Sequence, residues 1–296
     1  MIYTLTLNPA LDYLVDVKEI KLNSTNRSDA EHLSFGGKGI NVSYVLNQLG
    51  VESVCLGFVA GFTGKELERM LENEKIKTDF VHLSQGNTRI NVKINGEEIT
   101  EINANGPAVF EEDLIKLFQK LEKLSEGDVL LLAGSLPAGV SENLYEKIME
   151  LALKKQVEIV VDTSGKKLTE LLKYKPFLIK PNIDELCEIA GKNLCTENDI
   201  IDAAFDLKKA GAVNVLVSRG KDGAILVDEQ GKIHKTQAVK IISRNATGAG
   251  DSMVAGFLSG LDMGYEYALK LGNVCGAATA ASTALAKKEE IEKLMK

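Results

Sequence analysis

Short runs of almost unbroken valine, isoleucine and leucine recur along this chain, and the stretches between them carry helical periodicity. The runs are Ile2–Leu7, Ser53–Val59, Asp128–Leu132, Glu158–Asp162, Phe177–Lys180, Asn214–Ser218 and Ala224–Val227. A strand that is apolar at nearly every position has both faces covered, the condition of strands in a parallel sheet. Amphipathic stretches at Ile40–Leu49, Gly64–Glu74, Glu111–Leu124, Ser141–Lys155, Leu168–Leu172, Ile183–Ile189 and Glu197–Ala210 supply the crossovers. The last third reads as helices over Asp251–Leu261, Glu266–Ala284 and Lys288–Met295. The alternation predicts an α/β fold with a central, mostly parallel sheet flanked by helices. At 296 residues, one such domain accounts for the chain.

Two regions break the rhythm. Tyr13–Val17 and Thr88–Ile102 alternate apolar and polar residues, and Asn95-Gly96 inside the second is a hairpin signal. They predict a separate small β-sheet serving as a lid, drawn from residues 12–34 and 86–105. The run Gly272–Ala286 is rich in Ala, Gly, Ser and Thr and predicts a tightly packed helix.

Charge narrows the function. With 35 Lys and Arg against 42 Asp and Glu, the net charge is −7, so no basic field exists to hold a nucleic-acid backbone. Anionic ligands must be held by a local pocket. The four cysteines (Cys55, Cys187, Cys195 and Cys275) show no CxxC spacing, which predicts mostly buried thiols in a reducing compartment. The first residues lack a charged segment followed by an apolar one, and no apolar run is long enough to span a bilayer. A cytoplasmic protein without a membrane partner is the expectation. His32, His82 and His234 show no zinc-ligand spacing.

The segment Asn245-Ala246-Thr247-Gly248-Ala249-Gly250-Asp251-Ser252 opens a helix. Gly248, Ala249 and Gly250 let successive N–H groups point into one concavity, and the helix start adds a positive dipole end. Asp251, in the first turn, can accept a hydroxyl proton beside that anion hole. This is the pairing that phosphoryl transfer needs; an ordinary N-cap turn is the competing reading. No P-loop is present, because no Gly-Lys pair has a Gly five residues earlier or Ser/Thr after it. The dinucleotide fingerprint fails because Met253 stands where its third Gly belongs.

A second glycine cluster, Phe35-Gly36-Gly37-Lys38-Gly39-Ile40-Asn41, also precedes a helix. It reads as a ligand-approach loop with a point charge at Lys38, or as a turn with a solvated lysine. Arginine is rare, five against thirty lysines, so Arg89 on a strand suits a bidentate phosphate contact or edge protection. Asp12 follows the first strand, where α/β proteins bind ligands; it can accept sugar hydroxyls or cap a turn. In Lys180-Pro181-Asn182-Ile183-Asp184-Glu185, Glu185 or Asn182 can hold the waters of Mg²⁺, or Glu185 can simply occupy a helix first turn. Ser218–Gly223 reads as a hairpin loop or as a nucleotide-edge contact.

Taken in order, these residues resemble the ribokinase-type carbohydrate kinase family, in its phosphofructokinase-B branch. The resemblance runs along nearly the whole chain through Asn8–Asp12, Gly36–Val42, Gly134-Ser135-Leu136-Pro137, Asp162-Thr163-Ser164-Gly165, Lys180–Asn182 with Glu185-Leu186, and Gly248–Ser252. It implies a ribokinase-like sheet with a β lid over the sugar, and lids that pair in a homodimer. Asp251 resembles the catalytic base, and the backbone of Gly248, Ala249 and Gly250 the anion hole. Asp12, Gly37 and Asn41 resemble sugar-hydroxyl contacts. Arg27, Lys38 and Arg89 look like the cluster holding the substrate's existing phosphate. Lys180, Asn182 and Glu185 match the nucleotide and Mg²⁺ region, with Glu185 acting on the metal through water. Ser218, Gly220, Gly223 and Asn273 match the nucleotide pocket.

Within the family, Thr88–Ile94 is most similar to the 1-phosphofructokinase group. That implies ATP and Mg²⁺ as cofactors and fructose 1-phosphate as acceptor, with tagatose 6-phosphate or fructose 6-phosphate as alternatives. A non-catalytic sugar-phosphate-binding regulator is the reading from a different class.

Overall fold

A computed structural model describes residues 1–163, 165–244 and 246–296. Ser164 and Asn245, each inside a motif quoted above, lie outside the described residues. The strands are β1 (Ile2–Thr6), β2 (Ala10–Asp16), β3 (Ala30–Gly36), β4 (Ser53–Ala60), β5 (Lys77–Thr78), β6 (Val81–Leu83), β7 (Arg89–Asn95), β8 (Ile99–Ile102), β9 (Val129–Ala133), β10 (Glu158–Asp162), β11 (Leu178–Ile179), β12 (Asn214–Ser218), β13 (Ala224–Val227) and β14 (Ile233–Thr236). The helices are α1 (Lys38–Gln48), α2 (Gly61–Asn73), α3 (Glu111–Leu121), α4 (Leu144–Lys154), α5 (Gly165–Leu171), α6 (Ile183–Ala190), α7 (Glu197–Ala210), α8 (Ala249–Gly260), α9 (Tyr265–Ala281) and α10 (Lys288–Met295).

The central sheet runs β14-β13-β12-β11-β10-β9-β1-β4-β5, with β6 also on β4. It is parallel from β12 to β5, and β13 and β14 add an antiparallel edge. The unbroken apolar runs arise because alternate residues enter opposite cores. Ile159 and Val161 pack with Leu117 of α3, Ile148 of α4 and Leu207 of α7. Val160 between them packs with Val45 of α1 and Phe257 of α8. The fold is the ribokinase-like α/β architecture. Among the described residues, no helix is long and apolar enough to cross a membrane.

The second sheet has the order β3-β2-β7-β8. Both alternating segments belong to it: β2 pairs with β7 in parallel, and the expected hairpin joins β7 to β8, with the Gly96 N–H bonding the Glu98 carbonyl. The fourth member, β3, was not anticipated: its sequence, AEHLSFG, alternates weakly and is largely exposed. Asp12 also moves. It follows β1, which stops at Thr6, but lies inside β2 of the small sheet rather than in a loop at the end of β1. Pro9, which has no N–H to extend a ladder, marks the break. The edge strand β14 was likewise missed, because it is four residues long and half polar.

Helix α9 ends at Ala281 rather than Ala284, as Ser282 turns extended and its hydroxyl bonds the Ala278 carbonyl. Small residues bring α8 and α9 into near backbone contact. A Cβ on Gly256 would stand 2.9 Å from the Gly272 Cα and 2.8 Å from the Leu271 carbonyl oxygen.

Candidate active site

A cleft of about 470 Å³ opens between the C-terminal ends of the central strands and the small sheet. Strand ends supply Thr6 and Asp162, helix starts supply Lys38, Asn41, Glu185, Gly250 and Asp251, and the small sheet supplies Asp12, Arg89 and Glu101. Parallel strands deliver all their C-terminal ends to one side, so residues far apart in sequence converge there.

Gly248 is the N-cap of α8 with φ +79°, a backbone state that glycine adopts without strain. The first N–H groups of a helix have no partner inside it, and Gly248, Gly250 and Asp251 face the cleft. Ala249 is different: its N–H is committed to the Ala246 carbonyl at 3.2 Å, and it does not line the cleft. Asp251 is buried. Its Oδ2 accepts a 2.7 Å hydrogen bond from Nδ2 of Asn41. Burial, followed by the neighbouring Asp162 charge, pushes its carboxyl up to about 6, against the opposing pull of Asn41, Lys38 and Lys180. A carboxyl tuned there is poised to take a proton near neutral pH.

Beside it, Asp162 Oδ1 lies 3.4 Å from Nζ of Lys38 and 3.6 Å from Nζ of Lys180. Burial alone would raise the Asp162 carboxyl, but Lys180 and Lys38 outweigh it and hold it below the usual range. Burial would lower the Lys38 amine, yet Asp162, Asp251 and Glu185 hold it above its ordinary value. Two cations thus stand over the start of α8. A Cβ at Gly250 would come within 3.0 Å of Nζ of Lys180, so glycine there lets the ammonium approach the backbone.

Asn182 and Glu185 form a capping box on α6, each side chain accepting the other's N–H at 2.8–2.9 Å, while both also line the cleft. The structural and the functional readings of this pair therefore coexist. Asp12 accepts a 2.9 Å bond from Asn91 and pairs with Lys93 at 2.9 Å. Arg89 donates from Nε to the Asn8 carbonyl at 3.1 Å and from one terminal nitrogen to the Ala104 carbonyl at 3.3 Å.

The structure does not gather Arg27, Lys38 and Arg89 into one cluster. Lys38 turns to Asp162, Arg89 lies on the small sheet, and Arg27 is exposed in the β2–β3 connection, outside the cleft lining. Ser218, Gly220, Gly223 and Asn273 also lie outside the lining. Ser218 bridges to Asn182 and so borders it. Gly220 starts a short 3-10 turn between β12 and β13. Gly223, at φ +86°, has no room for a Cβ, which would fall 2.1 Å from the Thr236 carbonyl oxygen. Asn273 is buried and donates to the Gln237 carbonyl at 2.8 Å.

Sequence reasoning gave no role to Asp162, Asn91 or Lys93. Asp162 ends a strand that is buried from Ile159 onward, a position that flags ligand contact. Asn91 and Lys93 stand two and four residues after Arg89, the spacing of one strand face.

A doubly covered, mostly parallel sheet, with a glycine-rich helix start and a buried carboxylate beside its strand ends, is an arrangement suited to phosphoryl transfer. Residues 5–291 match the family described as pfkB family carbohydrate kinase. The 1-phosphofructokinase of Bacillus subtilis (strain 168) is 40% identical over all of this chain and 97% of its own length. The D-tagatose-1-phosphate kinase of Bacillus licheniformis is 38% identical over 96% of this chain and 94% of its own. The crystal structure of phosphofructokinase-2 from Escherichia coli in complex with substrates and products superposes with a TM-score of 0.93, at 29% identity, over 99% of this chain and 98% of that one. The chain belongs to the pfkB carbohydrate kinase family and is a phosphotransferase acting on a sugar hydroxyl.

Proposed function

We propose that this kinase transfers the γ-phosphoryl group of ATP to the 6-hydroxyl of fructose 1-phosphate, yielding fructose 1,6-bisphosphate and ADP. The observation that carries the reading is the position of Asp251, buried, raised to about 6 and set in the first turn of α8 beside the cations of Lys38 and Lys180. Asp251 orients the acceptor hydroxyl and takes its proton as the oxygen attacks. The N–H groups at the start of α8 and the two ammonium groups offset the charge on the transferring phosphoryl. Arg89 engages the phosphate that the sugar already carries, while Asp12, Gly37 and Asn41 meet its hydroxyls. Lys180, Asn182 and Glu185 face the nucleotide phosphates, and Ser218, Gly220, Gly223 and Asn273 border the nucleoside.

The donor set suits Mg²⁺. That ion takes oxygen ligands and keeps several of its waters. Asp162 Oδ2 is a buried oxygen without a hydrogen-bond partner among the described residues, and Glu185 commits Oε2 to its cap. Asp162 and Glu185 would hold the hydrated ion, which when bound neutralises charge on the nucleotide phosphates.

The small sheet acts as a lid, with segments at 12–34 and 86–105, and its closure excludes water from the phosphoryl group. Its outer face carries Tyr13, Leu33, Ile90 and Ile102, all more than a third exposed and on one side of the sheet by register. A second copy of the chain covers this apolar face, giving a homodimer through the lids. The enzyme works in the cytoplasm, which suits a protein with four free cysteines.

The match to a D-tagatose-1-phosphate kinase supports a second acceptor, the C4 epimer of fructose 1-phosphate. The test is an ADP-release assay with fructose 1-phosphate, tagatose 1-phosphate, tagatose 6-phosphate and fructose 6-phosphate in parallel. The expected outcome is a kcat/KM for fructose 1-phosphate at least about tenfold above the others, about 1.4 kcal/mol of transition-state preference. A higher value for any other acceptor overturns the substrate. Acceptor binding without turnover returns the chain to the regulator reading.

A further inference from the structure

The pocket-facing side of the small sheet contains a charge pair, Asp12 with Lys93, of which the reaction above uses only Asp12. Asp12 on β2 stands opposite Asn91 on β7, and Lys93 two residues further along β7 reaches back to it. Asn91 holds Oδ1 at 2.9 Å, and Lys93 holds Oδ2 at 2.9 Å. The third wall is Gly36 on β3, where a Cβ would lie 2.7 Å from the Asp12 carboxyl carbon. The Asp12 and Lys93 side chains are only 14% and 17% exposed, so this pair is far better shielded than a surface ion pair. Glu101 lies directly opposite Lys93 on β8 and lines the cleft, yet the ammonium is paired to Asp12.

We propose that Lys93 is a positioning residue for acceptor binding, fixing the Asp12 carboxylate in a single orientation at the sugar end of the cleft and acting on the substrate only through Asp12. The inference rests on Asp12 being a contact for sugar hydroxyls. A carboxylate pinned at both oxygens keeps its remaining lone pairs in a fixed direction, where they accept hydrogen bonds from the sugar hydroxyls. Lys93 also cancels the Asp12 charge close to Arg89, whose guanidinium feels that carboxylate. Without the ammonium, only Asn91 holds the carboxylate, and its uncompensated charge repels the phosphate dianion on the sugar. Both effects pass through Asp12 and fall on acceptor affinity, leaving the ATP side untouched.

A double-mutant cycle tests this, using wild type, Lys93→Met, Asp12→Asn and the double variant. Each is assayed with whichever sugar phosphate the wild type phosphorylates fastest, so an error in the substrate assignment does not affect the cycle. Lys93→Met is expected to raise the KM for the acceptor about tenfold or more while the KM for ATP stays constant. In the Asp12→Asn background the same change is expected to alter the acceptor KM by less than about twofold. Lys93→Arg, which restores the cation, is expected to recover most of the loss. Additive effects overturn the proposal alone, because Lys93 then acts independently of Asp12. An unchanged KM in Asp12→Asn overturns the Asp12 assignment as well. A parallel rise in the KM for ATP also overturns it, as the sign of a general loss of structure. If Lys93→Met does not fold, Lys93→Gln takes its place in the cycle with the same criteria.

Discussion

The side-chain amide of Asn41 donates a 2.7 Å hydrogen bond to Oδ2 of Asp251, across 210 positions of sequence. The bond favours the ionised carboxylate and opposes the rise that burial imposes. Asp251 must be ionised to take a proton, so kcat is expected to fall as pH drops through about 6. Asn41→Ala removes the opposing bond and is expected to move that acid limb to higher pH. A pH–rate profile of kcat for both proteins checks the sign. Asp251→Asn is expected to lower kcat by about 10²-fold or more while ATP binding persists.

Asp162 has the opposite effect on the same limb. Its negative charge is the second contributor, after burial, to the raised Asp251 carboxyl. Asp162→Asn is therefore expected to shift the acid limb to lower pH. Its maximal kcat is also expected to fall, because Lys38 and Lys180 lose the oxygen that both of them contact. A limb that moves upward would contradict the electrostatic assignment.

At the other end of the sheet, Asp228 anchors the β13–β14 turn. It accepts from the N–H groups of Gln230 and Lys232 and pairs with His234 at 2.8 Å. Burial alone would raise its carboxyl, but His234 and the two N–H groups hold it below the usual range. Its contribution to stability is thus complete above the unfolded carboxylate value and is lost as pH falls through the depressed folded one. Asp228→Ala is expected to cost about 1–3 kcal/mol by urea unfolding at pH 7. Wild type is expected to lose more stability than Asp228→Asn between about pH 5 and 3.

Gly272 sits where α9 crosses α8. A Cβ there would lie 2.8 Å from the Met253 carbonyl oxygen and 3.3 Å from the Phe257 nitrogen. Gly272→Ala is expected to destabilise the fold by about 1–3 kcal/mol. Because α8 carries Gly250 and Asp251, kcat is expected to drop with it. Urea unfolding and kcat measured on one preparation check both effects.

The proposed dimer has its own test. Placing a charge in the exposed apolar face of the small sheet, by Leu33→Asp, is expected to leave folding intact and to halve the mass in sedimentation equilibrium. Unchanged mass would exclude that face as the interface.

The sheet and its helices were legible because burial on both faces writes a continuous apolar run, and Ile159, Val160 and Val161 need no knowledge of their neighbours to reveal it. The helix start at Gly248–Asp251 was legible for a similar reason, since its glycines and first-turn carboxylate lie within one turn. β3 was not legible, because a largely exposed strand is under little pressure to alternate. Asp12 was legible as following the first strand, but not as a member of the next one, because the alternation is clear only from Tyr13 onward.

The sequence by itself therefore determined the layer architecture, the glycine-rich start of α8 and the family, all of which depend on residues close together along the chain or on their order. Only the tertiary structure decided which charges meet. Lys38 pairs with Asp162 rather than joining Arg89, Lys93 pins Asp12, Ala249 spends its N–H on Ala246, and Arg27 stands outside the cleft. The physical reason is range. Burial and turn geometry act through near neighbours, whereas an ion pair depends on a few ångströms between side chains set by the packing of the whole sheet.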